Sequence, residues 1–231
     1  YLPVRRPPVP AVKKKSWIRN EIDAFVLHKL EQRGWKPAAP ATPQALARRM
    51  YLDLVGLPPT LAEQQDILGE PSPAAFDELV HRLLDRQGYG ERWGRHWLDL
   101  VRFAETNGYE RDALKPHVWR YRDYVIRSFN EDKPYDRFIL EQLAGDELED
   151  DSTETLIATG FYRLGPWDDE PADFAVDRFD QLDDMLNATS QTFLGITLAC
   201  ARCHDHKFEA YTQHDYYKMI AIFNPLSRPQ Q

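Results

Sequence analysis

The chain has 231 residues, 42% of them hydrophobic, enough for one large or two small domains with a buried core. Its net charge of −8 is uneven: residues 1–50 carry 11 Lys and Arg against 3 Asp and Glu, and the rest carry 18 against 34. An acidic body argues against nucleic-acid binding, which rests on phosphate neutralisation; no apolar run approaches the roughly 20 residues of a membrane-spanning helix, and the start lacks the charged-then-apolar pattern of a signal peptide.

In chain order, residues 1–16 read as a proline-laced basic linker, with Pro3, Pro7, Pro8 and Pro10 among Arg5, Arg6, Lys13, Lys14 and Lys15. The chain opens on Tyr1 rather than methionine, as expected of a processed chain or one piece of a longer protein. A helical domain is predicted over 17–225, and 226–231 reads as the start of a C-terminal linker. Asn20 is the expected cap of a helix over 21–33 with an Ile22, Phe25, Val26, Leu27, Leu30 stripe, stopped by Gly34. Thr42-Pro43 and Ser72-Pro73 repeat one device, an N-cap hydroxyl followed by a proline in the first turn, and open helices to about residues 54 and 86. A shorter helix over 60–68 lies between them.

Further helices are predicted over 91–106, with Trp93, Trp97, Leu100, Val101 and Phe103 on a broad apolar face, and over 116–130, 135–144, 153–162, 174–201 and 214–223. Alternating runs bounded by hairpin turns are almost absent. The predicted fold is therefore mainly α, an irregular multi-helix domain with long loops.

Cys200-Ala201-Arg202-Cys203-His204 contains both cysteines of the chain and follows the c-type haem attachment pattern. Each thiol can add to one haem vinyl group, and the next residue offers its imidazole to the iron as proximal ligand. On the predicted boundaries the motif falls at the C-terminal end of the long helix. A dithiol redox pair is the first alternative, but it expects a preceding strand and a βαβ context. Zinc held by Cys200, Cys203, His204 and His206 is the second; structural zinc usually joins two separated ligand pairs, whereas these four stand close together in the chain. Asp168-Asp169-Glu170 and the carboxylates Asp177, Asp180, Asp183 and Asp184 suit calcium chemically, yet no Asp-x-Asp-x-Asp-Gly loop is present and a solvated helix face is the plainer reading.

The run from Phe193 through the motif to Asp205-His206-Lys207-Phe208 resembles the planctomycetal cytochrome c-like domain family, whose activity is unassigned. So do Asp53-Leu54-Val55-Gly56-Leu57-Pro58-Pro59, the segment His96 to Glu105, Asn107-Gly108-Tyr109-Glu110, the segment Trp119 to Val125, and Glu141-Gln142-Leu143-Ala144-Gly145-Asp146. Glu209-Ala210 stands where the family usually has Asp-Pro. The resemblance implies covalent haem c, export to the periplasm or beyond, and flanking domains in a longer chain.

The opposite axial position has several candidates. His206 is too close in sequence to His204 to wrap around to the other haem face. His117, His214, Met185 and Met219 remain, together with His96, which shares a helix face with aromatic residues. Met185 lies about 22 Å from Cys200 along a continuous helix, so it qualifies only if that helix breaks near 187–190. The expectation is a position either empty or filled by His96. Asp205 and His206 are candidates to tune the proximal imidazole by hydrogen bonding.

The expected function is an exported mono-haem domain acting in electron transfer with a redox partner protein, or as the redox part of a larger enzyme. Two other classes fit the same residues. One is a catabolic enzyme with a pocket of His96, Glu105, His204, Asp205 and His206, in which the cysteines form a disulfide or a metal site; beside a haem, Glu105 and Asp99 are the acid/base candidates. The other is a docking module using Trp17, Trp35 and the proline-rich start.

Overall fold

Side-chain caps mark where the helices begin. In the computed structural model, which describes residues 2–226, Asn20 and Asp23 close a capping box on α1 (Glu21–Gln32), the Asn20 side chain accepting from the Asp23 N–H at 3.1 Å. Before α2 (Pro43–Leu54), Thr42 Oγ1 accepts from the Ala45 N–H at 3.3 Å. Thr60 and Glu63 box the start of α3 (Leu61–Gly69), and Ser72 with Pro73 opens α4 (Pro73–Leu84). These four starts follow the local chemistry of the sequence.

The chain divides into two compact units, one ending at Leu46 and one beginning at Ala47. In the first, the basic start is tied to α1. The Lys13 and Lys14 N–H groups donate to the Glu31 carboxylate at 3.0–3.2 Å, Arg6 pairs with Glu21, and Val12 is buried. Gly34 follows the helix at φ 68°, and Trp35 stays exposed beneath the Arg33 guanidinium, while Trp17 is half-buried.

The second unit holds three apolar clusters. Ala47, Tyr51 and Val55 of the α2 region meet Ile67, Leu79 and Leu83 of α3 and α4. The largest cluster is built on α5 (Gln87–Leu100) and α6 (Trp119–Asn130), with α7 (Tyr135–Ala144) and α8 (Thr153–Ala158) packed around them. A Cβ on Gly90 would stand 2.3 Å from the Ile126 carbonyl oxygen, so only glycine lets α5 and α6 approach this closely. Inside the cluster, the Trp97 indole N–H donates to the Tyr121 hydroxyl and to Gln142 Oε1, each at 3.1 Å, and the Tyr121 hydroxyl donates to Gln142 Oε1 at 2.5 Å. The third cluster joins α9 (Phe174–Thr189) to α10 (Gln213–Phe223).

Among the described residues there is no strand, only an isolated bridge between Thr106 and Leu114. The fold is an irregular, mainly α arrangement with long loops, as predicted. Two differences in helix ends bear on the site. The helix expected over 91–106 ends at Leu100, because Arg102 turns to φ 53° and its guanidinium grips Asp184 of α9 through Nε at 2.7 Å and through a second nitrogen. Phe103 therefore leaves the helix, and Trp93 and Leu100, expected on its buried face, are 38% and 62% exposed.

The second difference reaches the motif. The helix expected over 174–201 ends at Thr189, passes through a π turn over Ser190–Leu194, and stops at Gly195 with φ 64°. Ser and Thr side chains compete for backbone hydrogen bonds in this stretch, and Ser190 Oγ donates to the Asn187 carbonyl at 3.2 Å. The Cys-x-x-Cys-His motif consequently starts on a 3-10 turn of its own, Ala199–Arg202, rather than on the end of the long helix. Of the C-terminal linker expected over 226–231, everything after Leu226 lies outside the described residues.

Candidate functional site

The motif turn is held from the inside and open on the outside. Ala201 and Leu198 are buried in the cluster formed by Leu182, Met185 and Leu186 of α9 with Tyr216, Ile220 and Phe223 of α10. Arg202 donates to Asp180 at 2.8 Å and lies 3.5 Å from Asp183, which also accepts from the Tyr216 hydroxyl. The hydrogen bond to Asp180 raises the Arg202 pKa, so this anchor stays charged. Burial, reinforced by the bond to Asp183, raises that of Tyr216. The Arg202 carbonyl accepts from Gln213 Nε2 at 3.0 Å and from the Tyr217 hydroxyl at 3.3 Å.

Cys200 and Cys203 are both exposed free thiols. Cys200 lies on the 3-10 turn and Cys203 caps its C-terminal end, so the two thiols flank Ala201 and Arg202. The His204 N–H points back to the Cys200 carbonyl at 3.4 Å. His204 Nδ1 lies 2.8 Å from the Asp205 carbonyl oxygen. A carbonyl only accepts, so Nδ1 carries the proton and, in the neutral ring, Nε2 keeps the lone pair that a metal requires.

His206 has the opposite arrangement. Its Nδ1 accepts from the Phe208 and Glu209 N–H groups at 3.3 and 3.0 Å, which places the ring proton on Nε2. Its own N–H donates to the Tyr211 carbonyl at 2.8 Å, and the ring stands edge-on to Tyr211. His206 thus organises the loop that follows the motif, and Glu209, at the family's usual aspartate position, joins that loop through its backbone.

Two accessible thiols, followed by an imidazole whose lone-pair nitrogen is set, fit the attachment chemistry of a c-type haem. The Cys-x-x-Cys spacing in the chain also suits a disulfide. Among the described residues no three of His, Cys, Asp or Glu are placed to share a metal ion.

His96 is on the exposed side of α5, its ring 5.4 Å from that of Trp93, and its helix belongs to the α5–α6 cluster. His117 is exposed in the turn before α6, and His214 is exposed on α10. Met185 is buried, and Met219 packs half-buried, in the cluster that also holds Ala201. Of the acid/base candidates, Glu105 pairs with Arg122 at 3.2 Å on an exposed loop, and Asp99 is exposed on α5. Cavities of about 400 Å³, lined by Phe25, Val26, Lys29, Leu30 and Arg33, and about 200 Å³, lined by Trp119, Arg120, Asp123, Arg127 and Ile157, include none of these residues.

The acidic face of α9 has a role that composition did not reveal. Asp180 and Asp183 hold Arg202, and Asp184 holds Arg102, so these carboxylates dock the motif turn and the α5 exit. Asp169 and Glu170 pair with Arg111. The sequence signal for such a role was the excess of carboxylates on α9 facing unassigned arginines in loops.

Fold and site together define an all-helical domain that displays a Cys-x-x-Cys-His turn to solvent. The chain belongs to the PSCyt2 family, "Protein of unknown function (DUF1549)", whose model matches residues 21–228, from α1 through α10. This is a planctomycetal cytochrome-like domain family without an assigned activity. No curated protein and no solved structure matches the chain.

Proposed function

We propose that this domain is a mono-haem c-type module, exported to the periplasm or beyond, with Cys200 and Cys203 as the thioether anchors and His204 as the proximal iron ligand. The observation that carries the reading is the hydrogen bond from His204 Nδ1 to the Asp205 carbonyl, because it presets Nε2 as the ligating nitrogen beside two free thiols. The group would supply one-electron exchange and, with an open axial position, small-ligand binding. Leu194 and Phe208, exposed and near the motif in the chain, and Tyr217, exposed and bonded through its hydroxyl to the Arg202 carbonyl, offer apolar surface of the kind a macrocycle requires. Electrons would pass to a redox partner protein or to flanking domains of a longer chain.

The domain made in a host with haem-attachment machinery is expected to have an intact mass one haem above that of the polypeptide, with a Soret band that survives denaturation. Replacing Cys200 and Cys203 by Ala should abolish both, and His204→Ala should keep the mass but alter the spin state. A mass equal to the bare chain, or lower by two hydrogens, overturns the reading; the latter result identifies a disulfide instead.

A further inference from the structure

Gln213, the first residue of α10, touches the motif turn on both sides of Cys203-His204. Its backbone N–H donates to Asp205 Oδ1 at 2.8 Å, and its side-chain amide donates to the Arg202 carbonyl at 3.0 Å. The helix behind it is firmly seated: Thr212 and Asp215 close a capping box, and Tyr216, Ile220 and Phe223 are buried. Asp205 supplies both the carboxylate that meets Gln213 and the carbonyl that accepts from His204 Nδ1. The peptide that selects the His204 tautomer is therefore fixed from α10.

We propose that Gln213 is a positioning residue that locks His204 with its proton on Nδ1 and its lone pair on Nε2, by clamping residues 202 and 205 to the start of α10. The ligating use of Nε2 rests on the haem reading above; the clamp itself is a property of the polypeptide and is measurable without haem. A free imidazole exchanges readily between its two neutral tautomers, so a turn that rocks would present the wrong nitrogen part of the time.

The test is nitrogen-15 NMR of the histidine side chains in the haem-free protein, at a pH where the rings are neutral. In the wild type His204 is expected to show the Nδ1–H tautomer and His206 the Nε2–H tautomer, each serving as reference for the other. Gln213→Glu, which replaces the amide donor by a carboxylate facing a carbonyl, should shift the His204 tautomer ratio about fivefold, the scale of one lost hydrogen bond, and leave His206 unchanged. Gln213→Lys, which restores a donor of similar reach, should recover the wild-type ratio. Unchanged His204 signals in Gln213→Glu, or equal loss in both variants with helicity retained, would overturn the clamp. If Gln213→Glu does not fold, Asp205→Ala, which removes the acceptor of the Gln213 N–H, decides by the same signals, with a shifted ratio expected and an unchanged one overturning the idea. Should the wild type never acquire haem, the tautomer result still stands or falls by itself.

Discussion

Glu63 and Tyr121 show how single side chains are held in this fold. The Thr60 backbone N–H, followed by Arg86, holds the Glu63 carboxyl down to about 2. Because the folded value lies below the ordinary one, its contribution is complete above the normal carboxylate range and disappears as pH falls toward 2. Urea midpoints followed through that window should decline in the wild type, and Glu63→Gln should lose part of that slope. At Tyr121, burial raises the hydroxyl pKa and keeps it a donor. Tyr121→Phe leaves Trp97 Nε1 and Gln142 Oε1 still 3.1 Å apart, so the expected cost is about 1 kcal/mol. Gln142→Leu strands the buried Tyr121 hydroxyl donor and leaves the Trp97 N–H with that hydroxyl alone, and should cost about 2–3 kcal/mol. Chemical denaturation checks the order; equal costs would mean that the three groups do not act as a network.

Among the elements, the α5–α6 contact makes the sharpest demand. Gly90→Ala forces a Cβ against the Ile126 carbonyl and should cost about 3 kcal/mol, since backbone on both sides must shift. One turn later, a Cβ on Gly94 would meet the Ile126 and Val125 side chains at 3.4–3.5 Å and the Ile126 Cα at 3.7 Å, ordinary contacts. Gly94→Ala should therefore be neutral, or stabilising by up to about 1 kcal/mol through helix propensity. Thermal melts of the two variants discriminate: equal destabilisation would show that the crossing is not set at Gly90. Elements with strong local caps follow their sequence signals, as at Asn20, Thr42, Thr60 and Ser72. The ends of α5 and α9 do not, because long-range arginine pairing and a Ser/Thr-rich π turn override a continuous apolar pattern.

At the scale of the whole second unit, the motif and His96 stand on different apolar clusters, the one on α9 and α10 and the other on α5 and α6. His96→Ala should accordingly leave the spin state and the carbon monoxide binding of the loaded, reduced domain unchanged. Conversion from low to high spin would identify His96 as the distal ligand, and a charge-transfer band from sulfur to iron would point to Met185 or Met219. The acidic α9 face adds a further whole-molecule feature, since part of the net negative charge carries the arginine anchor of the motif.

Local chemistry in the sequence determined the helical class, most helix starts and the five residues of the Cys-x-x-Cys-His motif, because caps, apolar periodicity and cysteine spacing act over a few residues. Tertiary structure decided what those residues face. The release of the motif from the long helix, the opposite tautomers of His204 and His206, and the Gln213 bridge to residues 202 and 205 all depend on contacts between segments that are separated in the chain or turned by its loops. Composition offered Asp180 and Asp183 as solvated carboxylates; only the packing of α9 against the motif turn made them ligands of Arg202. A hydrogen bond is decided by distance and direction in space, and spacing along the chain specifies these only within a single turn.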